Sequence, residues 1–276
     1  MNKKHTDHNG INTRLSISFG TTSYIVPDEI IPNVEFLKER VDDIELVLFE
    51  SDEFSNLPSE DDIRRLANTA DEHGLSYSVH LPLDAYLGHS DRSERLRSVE
   101  KCRKIIELTR PLPVSAFVTH AEAGPGVDVN LFTEDGVARF SDMFRQSINQ
   151  LLKTSEASAD EFAVETLNYP YAYIWPVVDE LGLSVTLDVG HLEFYGFPLE
   201  EHLKDYLNRT RVLHVHGVRE GKDHNSLVWY PSGSMDALLA ALQAAPDSDR
   251  VFTMEIFSLD DFESSSALMH ERRRGL

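Results

Sequence analysis

Eight short runs rich in apolar and β-branched residues recur along this chain, separated by helical patterns. That alternation limits the possible folds more than any other feature. The runs are RLSISFG (14–20), DIELVLFES (43–51), LSYSVHLP (75–82), PVSAFVTHAEA (113–123), EFAVETLN (161–168), LSVTLDVGHL (183–192), RVLHVHGV (211–218) and RVFTMEIFS (250–258). Most are nearly continuous apolar stretches, the pattern of strands covered on both faces. Eight βα units in one chain predict an α/β fold, a single (β/α)8 TIM barrel. Alternation alone also fits an open, doubly wound sheet; the count of eight favours closure. At 276 residues the chain matches one such domain, with 1–13 read as a frayed tail and 14–276 as the barrel.

The helical segments carry readable ends. PDEIIPNVEFLKER follows the first run, and Pro32 is expected to kink or restart it. SEDDIRRLANTADEHG has Ser59 as N-cap, acids in its first turn and Gly74 as its stop. A long amphipathic helix, DRSERLRSVEKCRKIIELTR, places Cys102 on its apolar face. The next begins at Thr133 and runs to about 156, and SGSMDALLAALQAA is the seventh.

Composition narrows the function. The single cysteine, Cys102, leaves no internal disulfide framework and no cysteine-rich zinc site, so a cytoplasmic setting is expected. The polar start has no apolar stretch of signal-peptide type, and its His5 and His8 are read as solvated. No apolar run reaches membrane-spanning length, so no membrane partner is expected. The net charge of −21 repels a phosphate backbone, and the only clear basic cluster, ERRRG, is short. Nucleic acid is therefore not the expected partner.

In a barrel of this type, chemistry gathers at the C-terminal strand ends. The second run ends in Glu50, the third in His80, the fourth in His120; the fifth carries Glu165 and the sixth Asp188 and His191. The seventh carries His214 and His216, followed by Asp223 and His224, and the eighth carries Glu255. A lone histidine at a strand end is usually a hydrogen-bonded structural residue. Here five of twelve histidines (His80, His120, His191, His216 and His224) fall at or just past strand ends or in the loop after the seventh run. Glu165, Asp188 and Glu255 interrupt apolar strands, and an unpaired buried carboxylate is costly. A shared divalent-metal centre of imidazoles and carboxylates satisfies all of them together. His214 and His216 have the same parity, so both can face inward; His216, nearer the strand end, is the expected ligand, with His214 behind it or packed in the barrel. His89 is read as a solvated loop residue, His73, His202 and His270 as exposed, and Trp229 and Tyr230 as either pocket-lining or packing.

This pattern resembles the xylose-isomerase-like, endonuclease-IV-like barrel superfamily over nearly the whole chain after the tail. Glu165, Asp188, His216 and Glu255 look like its shared metal square. His80, His120, His191 and His224 fall where endonuclease IV has further ligands, although Asp223 adjoins His224 and Lys222 stands two before it. The blocks TTSYIVPDEIIPNVEFL, VDDIELVLFES, SNLPS, YSVHLPLD, ETLNYP, LDVGHLEFYG and HVHGVREGKDHNSL are similar to the cobamide-remodelling phosphodiesterase family known as CbiR. That resemblance implies hydrolysis of the nucleotide-loop phosphodiester of a small-molecule corrinoid, giving cobinamide phosphate and the lower-ligand riboside. It implies two or three divalent ions, with zinc and manganese the first candidates. Glu165 and Glu255 are then the catalytic carboxylates bridging or flanking the ions, and Tyr24, Glu50 and Asn168 the expected substrate contacts. The alternatives are a one-metal sugar-phosphate isomerase or epimerase with Glu165 and Glu255 as the acid–base pair, an endonuclease-IV-like nuclease, and a non-enzymatic binding barrel.

Overall fold

A computed structural model describes residues 17–51, 54–245 and 249–274. The expected tail, 1–13, lies outside the described residues. In chain order the elements are β1 (Ile17–Thr22), α1 (Ile30–Leu37), β2 (Asp43–Val47), α2 (Glu60–His73), β3 (Tyr77–His80), α3 (Arg92–Thr109), β4 (Val114–Thr119) and α4 (Glu134–Thr154). Then come β5 (Phe162–Glu165), α5 (Trp175–Leu181), β6 (Ser184–Asp188), α6 (Val189–Tyr195), α7 (Leu199–Tyr206), β7 (Thr210–Val215), β8 (Gly217–Arg219), β9 (Lys222–Asn225), α8 (Ser232–Ala244), β10 (Arg250–Met254) and α9 (Leu259–Arg274).

Eight of these strands close a parallel barrel in the order β1-β10-β7-β6-β5-β4-β3-β2. The eight apolar runs supply its eight staves, as the alternation predicts. The core lies mainly between the barrel and its helices: Leu46, Val79, Phe117, Phe162, Leu187, Leu213 and Phe252 point from the strands towards Leu66, Ile105, Phe144, Val178 and Leu238. At the N-terminal end of the barrel one buried acid, Asp43, is fully satisfied by serines. Its Oδ1 accepts from the Ser78 amide and hydroxyl, and its Oδ2 accepts from Ser76 Oγ at 2.6 Å and Ser115 Oγ at 2.8 Å.

Local chemistry explains the helix ends. Ser59 forms a reciprocal capping box with Asp62, and Gly74 closes α2 in the left-handed region at φ 69°. Thr133 caps α4. Pro32 neither kinks nor restarts α1. It stands at the third helical position, where its missing N–H is one that no helical carbonyl would have met. The run LSVTLDVGHL is strand only as far as Asp188; VGHL belongs to α6, which lies across the barrel mouth before α7 returns along the outside. Beyond β7, an antiparallel hairpin of β8 and β9 turns at Glu220 and Gly221, both at positive φ as a twist-matched two-residue turn requires.

Candidate metal centre

The barrel brings His, Asp and Glu side chains into three groups whose potential ligand atoms lie within 4.8 Å of one another: His80–His120–Glu165, Glu165–Asp188–His214–Glu255, and His191–His216–His224. Glu165 belongs to two of them. Its Oε2 is 2.9 Å from His120 Nε2 and 3.5 Å from His80 Nε2, and its Oε1 is 3.4 Å from His191 Nδ1. Glu165, Asp188, His214, His216 and Glu255 are all buried. In contrast to Asp43, this cluster is unsatisfied: Asp188 Oδ2, His214 Nδ1, His216 Nε2 and Glu255 Oε2 have no well-aligned hydrogen bond. Buried polar atoms left without partners in this way are costly. Convergent lone pairs of imidazole and carboxylate, with no thiolate, are the donor set of a divalent cation. The residues fit the metal centre that the strand ends imply.

Each side chain is placed by an identifiable local feature. Asp188 is the last residue of β6 and the N-cap of α6, its Oδ1 accepting from the His191 amide at 2.7 Å. The Asp-x-x-His spacing is thus a cap and the third residue of its helix, and one turn aims both side chains at the mouth. Gly190 lies between them, and a Cβ there would stand 2.4 Å from the His216 ring. Its role is close approach, within the first turn of α6. His224 adopts φ 52°, a strained conformation for histidine, so that its amide donates to His216 Nδ1 at 3.0 Å while its own Nδ1 meets the Glu255 carbonyl at 3.2 Å.

These contacts set which ring nitrogen faces the site. His80 and His224 donate Nδ1–H to the carbonyls of Leu81 and Glu255, leaving Nε2 as the free lone pair. His214 donates Nε2–H to Glu45 Oε2 at 2.8 Å, turning Nδ1 to within 3.3 Å of Glu255 and 3.6 Å of Glu165. His216 is held the other way. Its Nδ1 accepts the His224 amide, so the neutral ring carries its proton on Nε2, 3.3 Å from Asp188 Oδ1. His214 therefore stands with the glutamates, where His216 was expected, and His216 stands with the other rim histidines.

Electrostatics follow from this crowding. Burial raises the Glu165 pKa, yet the charges of His120 and His214 and hydrogen bonds from His120 and His191 outweigh it and hold the carboxyl well below its usual range. Glu255 behaves alike between His214 and His224, and Asp188 is lowered against burial by His191 and His216. In return His191, although burial lowers it, is pushed up to about 12 chiefly by Asp188, and His224 up to about 9 by Glu255. Without metal, protons on these imidazoles balance the acids; a cation entering the site displaces them.

The remaining expected residues lie farther out. Tyr24 lines a separate cavity of about 400 Å³ with Asp28, Phe54 and Asn56, and its hydroxyl accepts from Asn56 Nδ2 at 2.6 Å. Glu50 lies beyond β2 and pairs with Lys104 of α3, which ties that loop to the helix wall. Asn168 is exposed at the rim, and its carbonyl accepts from Asn130 Nδ2 at 3.0 Å. Asp223 reaches to 3.8 Å from His224 Nε2, beside the third group. His89 is half-buried against Gly124, its Nδ1 accepting from the Asp91 amide at 3.0 Å, so it orders its own loop rather than standing in solvent. His73 and His202 are half-buried and His270 is exposed. Tyr230 is buried, whereas Trp229 is exposed with Arg219 stacked 4.3 Å from its ring. Cys102 is in the core.

Glu45 is the site residue missed in the sequence. It interrupts the apolar run of β2 as Glu165 interrupts β5, and the same cue marks it. Glu45→Gln is expected to weaken metal binding by about tenfold to a hundredfold, the usual effect of losing a carboxylate that orients an imidazole. Chelator competition on the purified protein measures this, and unchanged affinity would remove Glu45 from the site.

A closed (β/α)8 barrel with clustered imidazoles and carboxylates at its C-terminal mouth defines a class of barrel with a candidate metal centre. The chain belongs to the family described as Xylose isomerase-like TIM barrel, whose model matches residues 37–272. Among solved structures, it is similar to a D-tagatose 3-epimerase-like protein at 19% identity, covering 92% of this chain and 96% of that one with a TM-score of 0.74. It is similar to the IolI protein with a bound zinc atom at 14% identity, covering 94% and 96% with a TM-score of 0.67. Endonuclease IV from Thermus thermophilus follows at 15% identity, covering 92% and 99% with a TM-score of 0.65. No curated protein matches the chain. No described helix is long and apolar enough to cross a membrane.

Proposed function

We propose that this chain is a metal-dependent phosphodiesterase, and that its substrate is the nucleotide-loop phosphodiester of a cobamide. The observation that carries the first part is Glu165, shared between two ligand groups with a third group of histidines beside them. One ion needs one group; three contiguous groups suit the several ions that clamp a phosphoryl centre. The cobamide itself rests on the sequence resemblance alone.

His80, His120 and Glu165 would hold one ion; Glu165, Asp188, His214 and Glu255 a second; His191 and His224 are placed for another ion or for the phosphate, with His216, whose Nε2 carries its proton, as a hydrogen-bond donor beside them. Divalent ions bound there supply Lewis-acid stabilisation of the phosphoryl oxygens and a water of lowered pKa. The chain's own part is orientation. Glu165 sets the spacing between neighbouring groups. Asp188, fixed as a helix cap, holds its place without a mobile linker. The His224 amide keeps the His216 ring aimed at Asp188. In the reaction, water oxygen bonds to phosphorus, the bond from phosphorus to the ribose oxygen breaks, and the water's proton ends on that ribose oxygen.

A second reading has its own support. The solved neighbours include proteins titled as a D-tagatose 3-epimerase-like protein and L-ribulose 3-epimerase, and these names lean towards a one-metal sugar or sugar-phosphate epimerase. Glu165 and Glu255 would then be the acid–base pair, and His80 and His120 would serve substrate or structure. Elemental analysis and a product assay separate the two. Protein stripped with a chelator and reloaded is expected to bind two or more ions per chain. Mass spectrometry is then expected to show cobinamide phosphate released from a cobamide only in the reloaded form. One ion per chain, with ketose epimerised and cobamide untouched, would establish the second reading instead.

A further inference from the structure

The loop after β4 carries an acid that nothing in the fold engages. Past Thr119 the side chains go on alternating. Ala121 and Ala123 join the hydrophobic core, so His120 and Glu122 face the other way, towards the barrel mouth. The segment is tied down from two sides. The Tyr169 hydroxyl donates to the Ala121 carbonyl at 2.7 Å, and the Gly88 amide donates to the Glu122 carbonyl at 2.8 Å. Glu122 is half-buried there, yet its carboxylate has no hydrogen bond and no ion pair among the described residues. Other acids of the rim are engaged: Glu50 pairs with Lys104, Asp84 with Lys101 at 2.6 Å, and Asp223 stands beside His224. Glu122 also belongs to none of the three ligand groups. Its carboxylate lies within electrostatic reach of His120 and Glu165 of the first group. It is likewise within reach of the hydroxyls of Tyr86, Tyr169 and Tyr195, which come from three other segments of the rim.

An ionised carboxylate only accepts hydrogen bonds. A tied-down loop that holds one unmatched and half-buried, beside a metal centre, is set for a donor that arrives with the substrate. An anionic group is turned away by like charge. An ammonium is disfavoured once divalent ions fill the neighbouring groups, because those ions are then the largest local charges. A neutral hydroxyl meets neither objection. We infer that Glu122 is a specificity-determining residue whose carboxylate accepts from a substrate hydroxyl on the carbon next to the reacting ester. The inference rests on the phosphodiesterase reading and deepens it: the hydroxyl belongs to the ribose whose oxygen leaves phosphorus. The ions then take the phosphoryl group, and Glu122 reads the sugar beside it.

The test uses metal-loaded protein and two probes, adenosine 3′-phosphate and 2′-deoxyadenosine 3′-phosphate, which differ by that hydroxyl alone. Calorimetry is expected to show the first bound about tenfold more tightly, the scale of a hydrogen bond to a charged group. In Glu122→Gln the difference is expected to shrink severalfold, with metal content unchanged by elemental analysis. Should that variant fail to fold, Glu122→Asp keeps the charge and draws the oxygens back by one methylene, and is expected to lose the preference in the same way. Absent binding, equal binding of the two probes, a preference that survives in the folded variant, or loss of metal from it would overturn the inference. So would binding of O-phosphoethanolamine that the same substitution weakens as much, since the partner would then be an ammonium. The two claims fail separately. If the probes are told apart through Glu122 but no cobamide is cleaved, the phosphodiesterase reading falls and the role of Glu122 stands. If cobamide is cleaved and the probes bind alike, the role of Glu122 falls and the reading stands.

Discussion

Glu165→Gln is expected to cost the protein metal at two groups and to lower phosphodiester hydrolysis by at least about 10³-fold, the scale of losing a central electrostatic element of a site. The geometry gives the reason. Oε2 faces His120 and His80, whereas Oε1 faces His191 and His214. A neutral amide offers one acceptor where two lone-pair-bearing oxygens are required, and turns an N–H donor towards one set of imidazoles. Glu255→Gln removes a ligand from one group and reaches a second only through His224, so it is expected to lose fewer ions. Elemental analysis of both variants, beside the unaltered protein, reads this directly. Two or more ions retained in folded Glu165→Gln would show that the carboxylate does not join the groups. The same substitution removes one of the charges that, with Glu255 and Glu45, hold the His214 pKa up in the metal-free chain. Breaking a buried ion pair from one side costs about 3–5 kcal/mol unless the partner neutralises, so apo stability is expected to fall as well, most visibly at low pH where the imidazoles must stay charged.

Gly190→Ala is the second large effect. The added methyl would meet Cε1, Nε2 and Cδ2 of His216 at 2.4–2.5 Å. Neither side has room to give: His216 is fully buried and held from behind by the His224 amide. Forcing a methylene-sized group into such a site costs about 1–3 kcal/mol. The strain is expected to leave through the His216 ring, loosening the third histidine group. A lower denaturation midpoint together with about a tenfold or greater loss of activity, as for other displaced site-orienting groups, is the expected outcome. Full stability and full metal content would mean that α6 moves as a unit and that the close approach is incidental.

Several features could be read without coordinates because they depend on local chemistry. The eight strands came from apolar runs, Ser59 and Thr133 from capping, and the strand-end histidines from their position. The misread stretches are those where local pattern is ambiguous. VGHL continues an apolar run and reads as strand, yet Asp188 caps it into helix. Pro32 reads as a helix breaker, yet at the third position it breaks nothing. Glu45 carried the same sign as Glu165 but sits early in its run, so only its partner reveals it.

Buried acids show where sequence reasoning ends. Asp43 and Asp188 are both buried acids on apolar strands, and by residue type they are equivalent. Strand direction places Asp43 at the bottom of the barrel, where three serines satisfy it, and Asp188 at the mouth, among imidazoles with atoms left unmatched. His214 and His216 likewise share parity and inward aim. Barrel closure brings Glu45 to 2.8 Å from His214 across 169 positions of chain and so turns one ring towards the glutamates. Periodicity and caps act within a few residues and are written in the order of the chain. Depth along a barrel depends on the stagger of all eight strands together, and it exists only once the sheet has closed.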